Sequence, residues 1–368
     1  MQPKRAAEPE RLALHFDENR NQHDSPIREG MSSFTRHGRY LWVGFDESTT
    51  VERLQRLPSG SYGAHRQFRL ADYVDLPGDD DVEMDIEGLD VCGGYLYVSG
   101  SMSEKRDTPD ADDKPKKQAA ALKRVSRDAN RYNFIRLPLG EDDKGHPVPA
   151  RKLRRGGETL LARCFRTDGK SNLLLEGLKD DAHLRNFIPI PSKDNGFDAE
   201  GLAVFGERVF FGLRGPVLGG YAVVLELQLR TKGKRTLRPR KIGRHEQRYR
   251  KHFLNLAGMG IRELYADEAT GDLYILAGPT MDLDGTIALW RIAGGLPDAK
   301  TSVAVEVERL YDVTRPADVP YGHDKAEALT RMADGRFLVG YDSPVEDRLI
   351  DADSVYADLY PDPEDAAG

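Results

Sequence analysis

Asp85-Ile86-Glu87-Gly88-Leu89-Asp90-Val91-Cys92-Gly93-Gly94-Tyr95-Leu96-Tyr97-Val98-Ser99-Gly100 reads as two short strands joined by a tight turn. A glutamate opens a short apolar segment, Gly93-Gly94 supplies hairpin chemistry, and a β-rich run ends in glycine. The unit recurs along the chain. Glu29-Gly30-Met31 leads to Tyr40-Leu41-Trp42-Val43-Gly44, and Glu200-Gly201-Leu202 leads to Val209-Phe210-Phe211-Gly212. Glu263-Leu264 precedes Leu273-Tyr274-Ile275-Leu276-Ala277-Gly278, and Glu327-Ala328-Leu329 precedes Phe337-Leu338-Val339-Gly340.

These glutamates are spaced by 58, 113, 63 and 64 residues, and the long interval is close to two ordinary ones. A period of roughly 60 residues with several strands per repeat reads as a β-propeller, because one four-stranded sheet buries both faces only when neighbours stack around an axis. The expectation is an all-β chain of about six four-stranded blades, with five or seven also open, in a single domain over residues 1–368. A degenerate sixth blade falls in residues 140–195, unless Asp180 to Ile190, which looks helical, marks an insertion. Arg11 to Phe16 alternates Leu12, Leu14 and Phe16 with other residues, a strand pattern that would close the ring beside the strand near Tyr356.

Charged residues make up 31% and hydrophobic residues 39% of the chain, which suits a folded protein with a large solvated surface. The formal charge of −7 argues against a surface devoted to nucleic acid or anionic lipid. Residues 230–251 are basic and give the only hint of nucleic acid, but they nearly lack the stacking aromatics a single-strand binder needs. The most apolar stretch, Tyr221 to Leu227, contains Glu226 and is far shorter than the roughly 20 residues of a membrane span. No apolar run follows the basic residues near Lys4, so no secretory leader is read and a cytoplasmic location is expected. Cys92 and Cys164 are too few for a disulfide framework and read as buried thiols. Residues 103–120 read as a mobile loop and 361–368 as an acidic tail.

In a propeller the first strand of each blade lines the channel and the second runs back beside it, so the start of one meets the end of the other at one face. That topology gathers Glu29, Glu87, Glu200, Glu263 and Glu327 with Asp46, Glu47, Arg106, Arg214, Arg262 and Asp342. Carboxylates mixed with arginines suit a divalent cation, Ca²⁺ foremost with its six to eight oxygen ligands, or a phosphate-like anion on forked guanidinium groups. Asp46, Glu47, Glu87, Glu200 and Asp342 are the candidate metal ligands, and Arg106, Arg214 and Arg262 the candidate anion ligands. A glutamate in every repeat is equally what a structural tie would look like, accepting backbone N–H bonds between blades. His252 and His323 are weaker candidates for general bases.

Asp85-Ile86-Glu87-Gly88-Leu89, Gly212-Leu213-Arg214-Gly215-Pro216-Val217-Leu218, Gly260-Ile261-Arg262-Glu263-Leu264, Ala277-Gly278-Pro279-Thr280-Met281 and Tyr341-Asp342-Ser343-Pro344 together resemble the bacterial propeller family of unknown function 3616. The likeness runs from about residue 11 to about residue 350. The Glu-Gly-Leu unit is also similar to that of esterase-like phytases, which implies metal-assisted phosphoester hydrolysis as the enzyme reading. Gly100-Ser101-Met102 stands where the family's Gly-Ser-His is expected, so no role for that histidine carries over. Three functions stay open: binding of a small anionic ligand or a protein partner at the channel mouth, metal-dependent phosphoester hydrolysis with a metal-held water as nucleophile, and a scaffold whose channel is only structural.

Overall fold

Runs such as Tyr95–Val98 and Val209–Phe211 are apolar at consecutive positions, and a strand of that kind is stable only when covered on both faces. The computed structural model, which describes residues 8–17, 26–79, 82–233, 235–315 and 318–362, covers them by stacking five antiparallel units. Unit I is Met31–His37, Tyr40–Phe45, Thr50–Arg56 and Tyr62–Arg69. Unit II is Ile86–Cys92, Tyr95–Gly100 and Phe134–Glu141, with Pro147–Pro149 and Arg163–Phe165 each pairing one part of the third strand. Unit III is Asp198–Phe205, Arg208–Gly215, Tyr221–Lys232 and Arg250–Asn255. Unit IV is Gly260–Ala266, Leu273–Gly278, Ala288–Ile292 and Glu308–Asp312. Unit V is Lys325–Arg331, Phe337–Asp342 and Ser354–Tyr360, completed by the early strand Glu10–His15.

The first strands of the units touch in cyclic order, I to II to III to IV to V and back to I. The expected closure by the N-terminal segment is present: Glu10–His15 runs antiparallel to Ser354–Tyr360, with Ala13 opposite Tyr356. At the outside, neighbouring units are also stitched by short parallel pairings, Leu14 with Tyr62 and Cys164 with Thr236 among them.

Five apolar clusters fill the five seams. Trp42 and Phe68 of unit I meet Ile86, Leu96 and Val98 of unit II, while Tyr97 and Phe134 of unit II meet Leu202 and Phe211 of unit III. Consecutive residues of one strand thus serve opposite seams. Phe210 turns to unit IV with Ile261 and Trp290, and Phe211 turns to unit II, which is the alternation a pleated strand imposes. Close approach at the axis needs glycine. A Cβ on Gly88 would lie 2.4 Å from Leu202 Cβ, and one on Gly212 would lie 2.4 Å from Ile261 Cγ2.

Residues 140–195 do not make the expected sixth four-stranded unit. They form the outer edge of unit II, a separate hairpin of Lys152–Arg155 with Glu158–Leu161, and a short helix at Leu173–Leu178. The helix lies earlier than the expected Asp180 to Ile190, which is a run of turns, because Asn172 caps it by accepting from the Leu174 and Leu175 N–H groups. Residues 103–120 carry more structure than the loop reading implies: Lys105–Arg106 pairs with Val125–Ser126, and Pro115–Ala121 is helical between them. Residues 363–368 of the acidic tail lie outside the described residues.

No helix among the described residues is long and apolar enough to cross a membrane. The basic stretch 230–251, in which Lys234 lies outside the described residues, belongs to the outer part of unit III. Arg240 pairs with Glu207 at 3.0 Å, Lys241 with Glu246 at 2.7 Å and Arg250 with Glu226 at 3.1 Å, so much of its charge is already matched.

Candidate functional site

Each first strand carries a register shift one or two residues from its start, and the residue left over at that bulge points its backbone out of the ladder. The shift falls between Ile86 and Gly88, between Ala199 and Gly201, and between Ala326 and Ala328, which singles out Glu87, Glu200 and Glu327. In units I and IV the same shift falls between Met31 and Ser33 and between Ile261 and Glu263, so the equivalent residues are Ser32 and Arg262. Two of the expected repeat glutamates therefore sit elsewhere. Glu29 precedes its strand, has a side chain 44% exposed, and pairs with Arg28 at 3.4 Å.

Glu263 lies one position further along its strand and is buried. It accepts from Ser33 Oγ at 2.5 Å, from the Leu202 N–H at 3.1 Å and from the Leu264 N–H at 2.9 Å. Those bonds tie units I, III and IV together, the structural role that a repeated carboxylate can play. Asp90 does the same between units II and III, accepting from the Val204 N–H at 2.6 Å and the Val91 N–H at 2.7 Å.

Above this level a cavity of about 110 Å³ opens at the channel mouth. Asp46, Glu87, Glu200, Glu327, Asp342, Arg106 and Arg214 line it, so most of the candidates do converge. Lys105, beside Arg106, lines it too, and so do Asp85, Asp198, Arg131, Lys193 and Lys325, which were missed. A signal was available: Asp85 and Asp198 each stand two residues before the glutamate of an Asp-x-Glu-Gly-Leu string, on the same side of the strand. Glu47 is not part of the lining, and neither His252 nor His323 is. His252 is fully buried between Glu226, 3.0 Å from its Nε2, and Ser302, 2.6 Å from its Nδ1.

Residues 30–358 match the model of a protein family of unknown function, DUF3616. The chain belongs to that family. The DUF3616 match contains the whole lining of the cavity and all five first strands, and begins one residue after Glu29. No curated protein matches the chain. Among solved structures it is similar to glutaminyl cyclase of Myxococcus xanthus, at 11% identity and a TM-score of 0.43, over 96% of this chain and 98% of that one. It is also similar to a GH43 β-1,3-galactosidase with galactodeoxynojirimycin, at 10% identity and a TM-score of 0.41, over 94% of each chain.

The ion pairing of this DUF3616 cavity is uneven. Arg214 lies 2.6 Å from Asp198 through Nη2 and 2.7 Å from Glu200 through Nη1. Arg262 holds Glu327 at 2.6 Å and the other oxygen of Glu200 at 3.4 Å. Arg131 pairs with Asp85, and Arg106 binds Asp194 at 2.8 Å. The candidate anion ligands are thus committed to carboxylates, and the unpaired Nε groups of Arg214 and Arg262 are buried in the wall. Glu87, by contrast, has no hydrogen-bond or ion-pair partner among the described residues. Asp46 accepts, among the described residues, only from the Glu47 N–H, at 2.8 Å.

Burial, reinforced by Asp85, Glu200 and Glu327, pushes the Glu87 carboxyl well above the usual range. Burial and then Asp342, Asp85 and Glu327 do the same to Asp46. Asp342 is raised to about 7 by burial and Glu327, against the pull of Lys325. Burial raises Glu200 to about 8 despite Arg214 and Arg262. Asp85 goes the other way: burial opposes its charge, but Arg131 and a bond from Ser101 hold it below the ordinary value. Acids kept neutral beside acids kept charged give the cavity both donors and acceptors. Among the described residues, no three of His, Cys, Asp and Glu converge closely enough to hold a metal ion.

Proposed function

We propose that this protein is a five-bladed propeller whose channel mouth binds a small polar ligand bringing a positive charge or several hydrogen-bond donors to Glu87 and Asp46. The observation that carries the reading is the isolation of Glu87, a partly buried carboxyl in the cavity lining with no partner among the described residues, beside arginines each of which already holds a carboxylate. A carboxyl at the mouth with no protein partner keeps all its acceptor capacity for whatever enters the cavity. A phosphate-like anion would face Glu87 and Asp46 with Arg106, Arg131 and Arg214 each already held by a carboxylate, which moves the favoured ligand away from the anion expected from the sequence.

The reading predicts proton release. Glu87 and Asp46 must ionise to pair with a cation, so affinity rises with pH until they are deprotonated. The test is a thermal-shift and calorimetric panel of ethanolammonium, glucose and phosphate, and of Ca²⁺, Mg²⁺, Mn²⁺ and Zn²⁺ with and without phosphate, at pH 6 and pH 8. Ethanolammonium or glucose raising the melting temperature of the native chain, but not of Glu87→Gln, supports it. Stabilisation by phosphate alone would overturn it. A Ca²⁺ or Mn²⁺ shift that grows with phosphate would replace it with the metal-dependent phosphoesterase reading, with Asp46, Glu87 and Asp342 as the ligands.

A further inference from the structure

The unmatched charges of the channel mouth are of both signs, and they stand at different depths. Glu87 sits at the bulge of its first strand, and Asp46 directly follows the second strand of unit I. Both are partly buried, and neither meets a cation in an ion pair among the described residues. Lysines stand further out. Lys325 opens the first strand of unit V two residues before Glu327, and its side chain is 21% exposed against 12% for Glu327. Lys193 belongs to the turn Ser192–Asp194 and is exposed, yet it lines the cavity as Lys325 does.

Lys193 is the unusual cation. Lys105 is taken by Glu83 at 3.2 Å, and Lys325 lies opposite Asp342 in the strand pairing and 3.6 Å from Asp282. The Lys193 ammonium has no hydrogen-bond or ion-pair partner among the described residues. Both its chain neighbours are fixed, because the Ser192 N–H donates to the Glu104 carbonyl at 2.9 Å and Arg106 holds Asp194 at 2.8 Å. Its charge is felt inside the mouth: burial and Glu327 raise the Asp342 carboxyl, while Lys325 and Lys193 both pull it down.

Resting on the reading of Glu87 and Asp46 as a cation subsite, we infer that the mouth takes a short zwitterion, an amino acid of about the size of glycine, with its ammonium on Glu87 and Asp46 and its carboxylate on Lys193. A plain ammonium ion would leave Lys193 without a counter-charge, and a plain carboxylate would meet Glu87 and Asp46. A zwitterion answers both, and each end gains a charge-assisted hydrogen bond. The cavity of about 110 Å³ lies well below the roughly 300–1,000 Å³ of ordinary small-molecule pockets, which restricts the ligand to a few heavy atoms.

The test is a calorimetric titration of the full chain with glycine, ethanolammonium, acetate and glucose at pH 8. Glycine and ethanolammonium share the ammonium and differ in ending on a carboxylate or a hydroxyl, so their ratio reads the contact with Lys193. The acids of the mouth by themselves would favour ethanolammonium, which carries the net positive charge. Glycine is expected to bind more tightly than ethanolammonium by about fivefold or more, the upper end for a partly exposed ion pair. Lys193→Gln removes an exposed side chain with no partner and leaves the fold intact; it is expected to erase that preference while ethanolammonium still binds. Glu87→Gln is expected to weaken both amines. Survival of the preference in Lys193→Gln, or acetate binding as tightly as glycine, would overturn the inference. Binding of ethanolammonium or glucose with no preference for glycine would also overturn it and leave the cation reading standing. Failure of glycine, ethanolammonium and glucose alike would overturn the two together.

Discussion

Arg214 Nη1 lies 2.7 Å from Glu200 Oε1, with the two side chains only 9% and 3% exposed. Since Arg214 also holds Asp198 at 2.6 Å, one guanidinium neutralises two carboxylates in the wall of the channel mouth. Removing the cation strands Asp198 and leaves Glu200 with Arg262 alone, at 3.4 Å. Arg214→Leu is expected to cost about 3–5 kcal/mol of stability, measured by urea unfolding. Adding Asp198→Asn and Glu200→Gln to it should restore at least half of the loss. A loss under about 1 kcal/mol in the single variant would show that the pair is not holding the wall.

Glu87 offers the opposite case. It has no partner to lose, so Glu87→Gln is expected to change stability by less than about 1 kcal/mol, in either direction, while removing the response to ligand. Circular-dichroism melting and the ligand panel read the two effects separately. A large destabilisation would identify Glu87 as a structural tie like Glu263.

Asp342 sets a pH dependence whose sign follows from its carboxyl standing at about 7 in the fold. In the unfolded chain that carboxyl titrates near about 4. Between those values the folded state holds a proton that the unfolded state has released, so this group's contribution to stability is lost as pH rises through the window. Asp90, also raised to about 7, chiefly by burial, adds to the same slope. Asp342→Asn should therefore melt with less dependence on pH between about 4 and 7 than the native chain. Parallel slopes in the two proteins would remove Asp342 as the cause.

The seam between units V and I depends on Leu14, which is fully buried with Phe34, Leu54 and Val355 nearby. Leu14→Ala is expected to cost about 2–5 kcal/mol. Lys117→Ala, which breaks an exposed pair with Asp113 four residues away, should cost no more than about 0.5 kcal/mol. Denaturant midpoints of the two variants check the contrast.

The repeat unit was legible because inner-strand hairpins are local: Gly93-Gly94 and Asp334-Gly335 announce themselves without any tertiary information. The closing strand was legible for the same reason, through the alternation of Leu12, Leu14 and Phe16. The number of units was not, because a long interval between two glutamates looks alike whether it holds a blade or, as here, a hairpin, a helix and turns. Nor was the ring at the mouth fully legible. Which residue sits at a strand bulge is fixed by pairing with the next strand, so Ser32 was hidden behind the more conspicuous Glu29, and Arg262, though named as an anion ligand, did not show itself as the counterpart of the repeat glutamates. Arg131 came from a 3₁₀ turn outside any repeat, where no periodic signal exists.

Glu10–His15 finds its partner in Ser354–Tyr360, with His15 and Ser354 separated by 339 positions. A ribosome working at about 5–20 residues per second would leave the early strand waiting roughly 17–70 seconds for that partner. Through this interval the apolar side of the segment, with Leu12, Leu14 and Phe16, has no seam to enter, and unit I has an open flank. The ring is thus a clasp that shuts last, and its vulnerable moment in the cell comes during synthesis. A chaperone that shields this strand until Ser354–Tyr360 is made would protect the protein better than one that meets the finished chain.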